Sequence, residues 1–194
     1  MRVSGRRVGA AVLVVAALAT GHAVSTAFPF EADLAAPFLR TGEVGDPVDL
    51  RYAQVTAGPP QGSTVAEASR TLMATPGVWL AVPVTIVAEG EPRRLGYAAV
   101  VGSDERVYVA NGARSQRSWY TAQPGIPHYG TVLVELPAEA AVGAHLRISL
   151  EPWDQRADDM AEIDLGITAE DVERWAATTD PVVVPTPSDT PPEA

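Results

Sequence analysis

Between residues 46 and 167 the chain alternates apolar and polar positions in short runs cut by turn residues. Val48, Leu50 and Tyr52 interleave with Asp49, Arg51 and Ala53. Val132, Val134 and Leu136 interleave with Thr131, Leu133 and Glu135, and Leu146, Ile148 and Leu150 share one side of the run 144–151. Ile163, Leu165 and Ile167 repeat the pattern over 161–167. Successive side chains of extended backbone point to opposite faces, so a period of two predicts strands with one face in a core. The run Thr131–Leu136 is bounded by Pro124-Gly125, Pro127 and Gly130 on one side and by Pro137 on the other. Those breakers frame a strand and place a loop in front of it.

Further strands follow from β-branched and aromatic content. Gly77–Ala88 is the most apolar run, and Pro83 inside it predicts an edge position or a bulge. Leu95–Val101 and Arg106–Ala110 flank a turn at 102–105, and Asn111-Gly112 marks another turn. Thr64–Thr75 fits a helix through Val65, Ala68 and Leu72 or an edge strand, and its neighbours favour the strand. Ala113–Gln123 is polar with Trp119 and Tyr120 and reads as strand or loop, whereas Pro152–Met160 reads as an acidic loop. Thr168, with Asp171 three residues on, resembles a capping box opening a helix over 169–176, on which Val172 and Trp175 share a face. The tail 178–194 is rich in Pro and Thr and predicts an extended, disordered end. Many short strands without long helices between them describe an all-β sandwich, with an open mixed barrel as the alternative.

The first residues change the setting. Arg2, Arg6 and Arg7 precede an uncharged stretch, Val8–Ala27, in which His22 is the strongly polar residue. Twenty residues at about 1.5 Å each match a bilayer core of about 30 Å. Arginines before the stretch orient it with its start inside and the domain outside. Two outcomes fit. Phe28-Pro29-Phe30 suits an interfacial belt behind a retained transmembrane helix, giving a single-pass protein of the cell membrane, and this is the reading adopted. Ser25-Thr26-Ala27 suits cleavage near Ala27 and secretion. Residues 28–45, broken by Pro29 and Pro37, read as a stalk.

Composition then excludes classes. The chain has 194 residues, no Cys, and 24 acidic against 14 basic residues, all of them Arg. Absence of Cys removes disulfides, thiolate chemistry and a lipid-anchored N-terminal Cys. A net charge of −10 argues against nucleic acid as a partner, because phosphate binding rests on basic side chains. The Arg, Ala, Val, Gly and Pro bias is that of a GC-rich, actinobacterial-type genome.

Three motifs resemble a known family: the apolar run Val78–Ala88 before an acidic turn, the paired strands around Asp104–Tyr108, and Gln123-Pro124-Gly125 followed by Gly130 and Glu135-Leu136-Pro137. They resemble a bacterial extracellular family of unknown function, sometimes labelled telomeric-repeat-binding-factor-like. The resemblance covers residues 46–167. It departs from the family at the missing lipobox Cys and at Val134, where an aromatic is common. It implies an immunoglobulin-like antiparallel β-sandwich, exported and often membrane-tethered, with no catalytic residues to carry over. The expected architecture is thus that sandwich, with an N-terminal transmembrane helix and a short C-terminal helix over 168–177.

Candidate chemistry is sparse. His128 with Asp104 and Ser103 or Ser118 would compose a hydrolase triad, but no nucleophile elbow accompanies them. His128 with His145 lacks a third metal ligand. Asp154, Asp158, Asp159, Glu162 and Asp164 offer oxygens to calcium without EF-hand spacing. No catalytic residue, cofactor or metal is assigned. Arg114, Arg117, Trp119, Tyr120, His128 and Tyr129 combine the residue types favoured at interfaces. They point to a partner-binding loop on a non-enzymatic domain whose partner is another cell-envelope protein. A cell-wall or polysaccharide binding module is the alternative, and it would need a planar aromatic pair.

Overall fold

The computed structural model describes residues 16–23, 36–112, 114–153 and 158–191. The chain divides into two units, Met1–Ala36 and Pro37–Ala194. In the first unit, residues 16–23 are helical. No helix among the described residues is long and apolar enough to cross a membrane, and the rest of the expected span 8–27 lies outside them.

Among its described residues the second unit contains twelve strands and two helices. In chain order these are β1 (Phe38–Glu43), β2 (Pro47–Leu50), β3 (Ala53–Ala57), β4 (Gln61–Ala68), β5 (Thr71–Ala88), β6 (Tyr97–Val101), β7 (Val107–Val109), β8 (Gln116–Ser118) and β9 (His128–Leu136). There follow helix α1 (Ala138–Ala141), β10 (His145–Ser149), β11 (Asp159–Asp164), helix α2 (Ala169–Ala176) and β12 (Val182–Val183). One sheet runs β1-β11-β10-β6-β7. The other runs β12-β4-β5-β3-β2, with β9 on the opposite side of β5 and β8 outside β9. This unit is a two-sheet β-sandwich.

The spine of the larger sheet is β5, 18 residues long. Its first part pairs with β4, its last part with β3, and residues 78–86 pair with β9. Leu80, Val82, Val84 and Ile86 face the core between the sheets, against Val132 and Val134 of β9 and Leu146, Ile148 and Ile163 of the smaller sheet. The odd positions Trp79 and Ala81 face the other way, into a second cluster with Leu133, Ala66, Ala68 and Val182. Burial on both faces is why this stretch reads as a continuous apolar run rather than an alternation.

Pro83, expected at an edge or a bulge, therefore stands in a central strand. Its carbonyl accepts from Gly58 N–H at 2.8 Å, so its donor-less nitrogen faces the gap where β3 has ended and β4 has not begun. No ladder bond is lost there. The ambiguous stretch 64–75 is a hairpin: β4 and β5 join through Ser69 and Arg70, both at positive φ (51° and 62°).

Three other expectations are corrected. Residues 38–43, read as stalk, form β1, which pairs parallel with β11. The tail, read as disordered, is tied to the larger sheet: β12 pairs parallel with β4, and Ser188 exchanges backbone bonds with Tyr129 at 2.7 and 3.1 Å. Both pairings make the sheets mixed rather than wholly antiparallel. The strand expected at 161–167 starts earlier, at Asp159.

Helix α2 bears out its capping box. The Thr168 hydroxyl accepts from Asp171 N–H, and the Asp171 carboxylate accepts from Thr168 N–H at 3.0 Å. Val172 and Trp175 are buried, and Trp175 lies so close over β4 that a Cβ at Gly62 would come within 2.3 Å of its ring.

Candidate functional site

The strand β9 begins at His128, and the residues before it form the loop expected from the Pro and Gly breakers. Arg93 and Ala122 exchange backbone hydrogen bonds at 3.0 and 2.8 Å, and Gly125 N–H donates to Ala88 O at 3.2 Å. Gly125 takes φ 70°, the left-handed region that suits a residue without Cβ. Between Trp119 and Tyr129 no residue is Asp, Glu, Lys or Arg. Tyr120 (62%) and Ile126 (46%) stand exposed on this loop.

Beneath the loop, His128 is buried with both ring nitrogens engaged. Nε2 accepts from Tyr120 N–H at 3.0 Å, so Nδ1 carries the proton of the neutral ring and donates to Asp189 Oδ1 at 2.6 Å. The Tyr120 and His128 rings lie 6.2 Å apart, tilted by 50°. One imidazole thus ties the C-terminal tail to the exposed loop.

The six residues expected to form one patch are separated by the fold. Tyr120, His128 and Tyr129 remain together with the tail. Trp119 is in the core, its Nε1–H donating to Leu95 O at 2.8 Å. Arg114 grips Glu135 through Nε and Nη2, both at 2.9 Å, donates to Ala74 O at 3.0 Å, and lies 5.1 Å from the Trp79 ring centre. That bond raises the Arg114 guanidinium above its ordinary value and lowers the Glu135 carboxyl. Arg114 therefore closes the outer apolar cluster. Arg117 lies elsewhere, lining a cleft of about 240 Å3 with residues of β6 and β7 and with Pro152 and Trp153.

The other candidates have local employment. Asp104 accepts from Tyr108 Oη–H at 2.9 Å and Arg106 N–H at 3.1 Å, Ser103 donates to Glu139 O at 3.1 Å, and Ser118 Oγ accepts from Thr131 N–H at 3.0 Å. None of them reaches His128. His145 lies in the smaller sheet and His128 in the larger. Asp158 holds the Arg51 guanidinium at 2.7 Å, and Asp159 accepts from Arg51 N–H at 2.9 Å and Arg40 at 3.2 Å. Glu162 pairs with Arg147 at 2.6 Å, and Asp164 accepts from Gly166 N–H at 2.9 Å. Asp154 lies outside the described residues, among which no group of three or more His, Cys, Asp or Glu gathers.

No protein-family model and no curated protein matches the chain. Two solved structures are similar. An uncharacterised β-sandwich protein of Clostridium difficile 630 superposes with a TM-score of 0.43 and 10% identity over 66% of this chain and 95% of its own. The yjhA protein of Bacillus subtilis gives a TM-score of 0.43 and 11% identity over 63% of this chain and 99% of its own.

Sequence reasoning found the Tyr120 loop and Arg117 but missed Ile126, Asp189, Tyr97, Asn111 and Trp153. Ile126 sits between Gly and Pro, where no periodicity marks it. Asp189 lies in a Pro-Thr tail whose composition signals disorder. Trp153 stands in the stretch read as an acidic loop, where no periodicity marks it.

Proposed function

We propose that this chain is a non-enzymatic, membrane-anchored extracellular β-sandwich that binds another cell-envelope protein through the loop 119–127. The observation that carries it is the pair Tyr120 and Ile126, exposed on an uncharged loop fixed from below by His128. Apolar and aromatic side chains free of nearby charge are what the centre of a protein interface contains. A loop held by backbone bonds loses little conformational entropy on binding, so more of its contact energy appears as affinity.

The position outside the membrane rests on Arg2, Arg6 and Arg7 before the uncharged stretch 8–27, and on the resemblance to an exported immunoglobulin-like family. The polysaccharide reading needs two aromatics in one exposed plane. Trp119, the neighbour that would have paired with Tyr120, is only 3% exposed.

The test is cross-linking in the native cells, followed by mass spectrometry of what is purified with wild type, Tyr120→Ala and Ile126→Asp chains. One recurring membrane protein should accompany wild type and be lost with Ile126→Asp. Recovery of the same protein with both variants, or of wall glycan alone, overturns the reading. Peptides covering residues 8–27 in the mature protein would establish the anchor.

A further inference from the structure

A second site lies where the edges of the two sheets meet. We propose that the cleft lined by Tyr97, Asn111, Arg117, Pro152 and Trp153 binds a small carboxylate, with Arg117 holding the anion and Trp153 forming its wall.

The first ground is the state of Arg117. Three arginines among the described residues are half-buried: Arg93, Arg117 and Arg147. Arg93 faces Glu91 and Arg147 faces Glu162. Arg117 faces no acid among the described residues, although the chain holds 24 acidic side chains. Its single hydrogen bond there is a long one, Nη1–H to Ala110 O at 3.4 Å, and its Nε is buried without a partner. A guanidinium removed from water without an anion is costly, and an anion in the cleft would remove that cost. Burial already lowers the Arg117 guanidinium below its ordinary value, and the charge of Arg94 adds to this.

The second ground is the lining. Among the described residues that line it, none is acidic. Trp153 is 87% exposed at its rim, an unusual place for an indole. The Asn111 side chain makes no hydrogen bond among the described residues and is a free donor at the rim. Gly96 lets the turn approach: a Cβ there would lie 2.7 Å from Pro152 Cδ and 2.8 Å from Leu150 O.

Chemistry and size choose the ligand class. The planar guanidinium fork matches a carboxylate in two parallel hydrogen bonds. A more highly charged anion would call for a cluster of cations, and among the described residues of the lining Arg117 is the one cation. The space of about 240 Å3 suits a small organic acid or one acidic side chain, since a water takes about 30 Å3. This site is independent of the Tyr120 loop.

The test is NMR titration of the full-length chain in mild detergent with sodium benzoate and, separately, with N-acetyl-aspartate amide, using sodium chloride as the control. Saturable shifts of the Trp153 indole N–H and the Arg117 Nε–H are expected with a carboxylate and absent with chloride. Saturation by both probes assigns the carboxylate group wherever it is carried, and saturation by benzoate alone assigns a free acid. Arg117→Lys, which keeps the charge without the fork, should weaken binding by about tenfold. Trp153→Ala, at an exposed position, should weaken it while leaving the melting temperature unchanged. Absence of saturation with both probes, or equal binding by Arg117→Lys, overturns the proposal.

Discussion

His128 and Asp189 lie 61 residues apart in the chain and 2.6 Å apart in the fold. The imidazole is buried and the carboxylate sits on a tail that crosses from the β4 edge to the start of β9. The same ring receives the Tyr120 N–H, so the tail and the exposed loop share one anchor.

Asp189→Ala should loosen both. Removing the acceptor leaves Nδ1–H without its partner at a buried site, which costs about 1–3 kcal/mol. Hydrogen exchange should rise at Tyr120 and around Ser188, and the urea midpoint should fall. Unchanged exchange at Tyr120 would separate the loop from the tail.

Gly62→Ala should destabilise the docking of α2. The added Cβ would stand 2.3 Å from the Trp175 ring, and an indole wedged between helix and sheet cannot move without displacing the helix. A loss of about 1–3 kcal/mol in urea unfolding is expected from such overpacking. Gly62→Ala combined with Trp175→Leu should recover part of that loss, because the clash is with the ring.

The Asp171 carboxyl is held down to about 2 from 3.8, first by the Thr168 hydroxyl, then by Thr168 N–H, then by Arg174. A depressed folded-state value means that its contribution is complete above about pH 4 and disappears as pH falls through about 2. Urea unfolding at pH 5 and pH 2.5 should therefore differ more for wild type than for Thr168→Ala. At pH 5 that substitution should cost about 1 kcal/mol, the usual worth of an N-cap.

Burial pushes the Tyr52 phenol up to about 12. Its Oη–H donates to Asp159 O at 2.6 Å and accepts from Leu150 N–H at 3.0 Å, tying the β2–β3 turn to the smaller sheet. A raised folded-state value favours the fold below about pH 10 and loses that advantage as pH climbs to about 12. Tyr52→Phe should flatten the alkaline fall of stability over that window. It should also cost about 1–3 kcal/mol at neutral pH by removing the partner of the buried Asp159 carbonyl and of the part-buried Leu150 N–H. An unchanged alkaline slope would remove Tyr52 from the account.

β2 and β10 were legible because one face is more buried than the other: Val48 to Leu50 and Leu146 to Ile148 alternate, and alternation survives in the sequence. β9 is buried on both faces, with Leu133 opposite Val132 and Val134, and was legible from the Pro and Gly breakers that frame it. The capping box at Thr168 is local chemistry and was legible for the same reason. The β4–β5 hairpin was blurred because its turn, Ser69-Arg70, takes positive φ without Gly or Asn. β1 left no pattern at all: Phe38, Leu39, Arg40 and Thr41 are all exposed, and the strand is held by its parallel ladder to β11 and by Arg40 on Asp159. Backbone pairing of that kind has no side-chain signature.

The same division holds for function. The sequence by itself determined an all-β domain, the turns that frame the Tyr120 loop, and the absence of thiol chemistry, since each depends on residue type or on neighbours a few positions away. Only the tertiary structure decided that Trp119 belongs to the core, that Arg114 closes an apolar cluster, that the tail returns to His128, and that Arg117 and Trp153 line one cleft. Each of these joins residues from different strands, and which strands become neighbours is fixed by the packing of both sheets together.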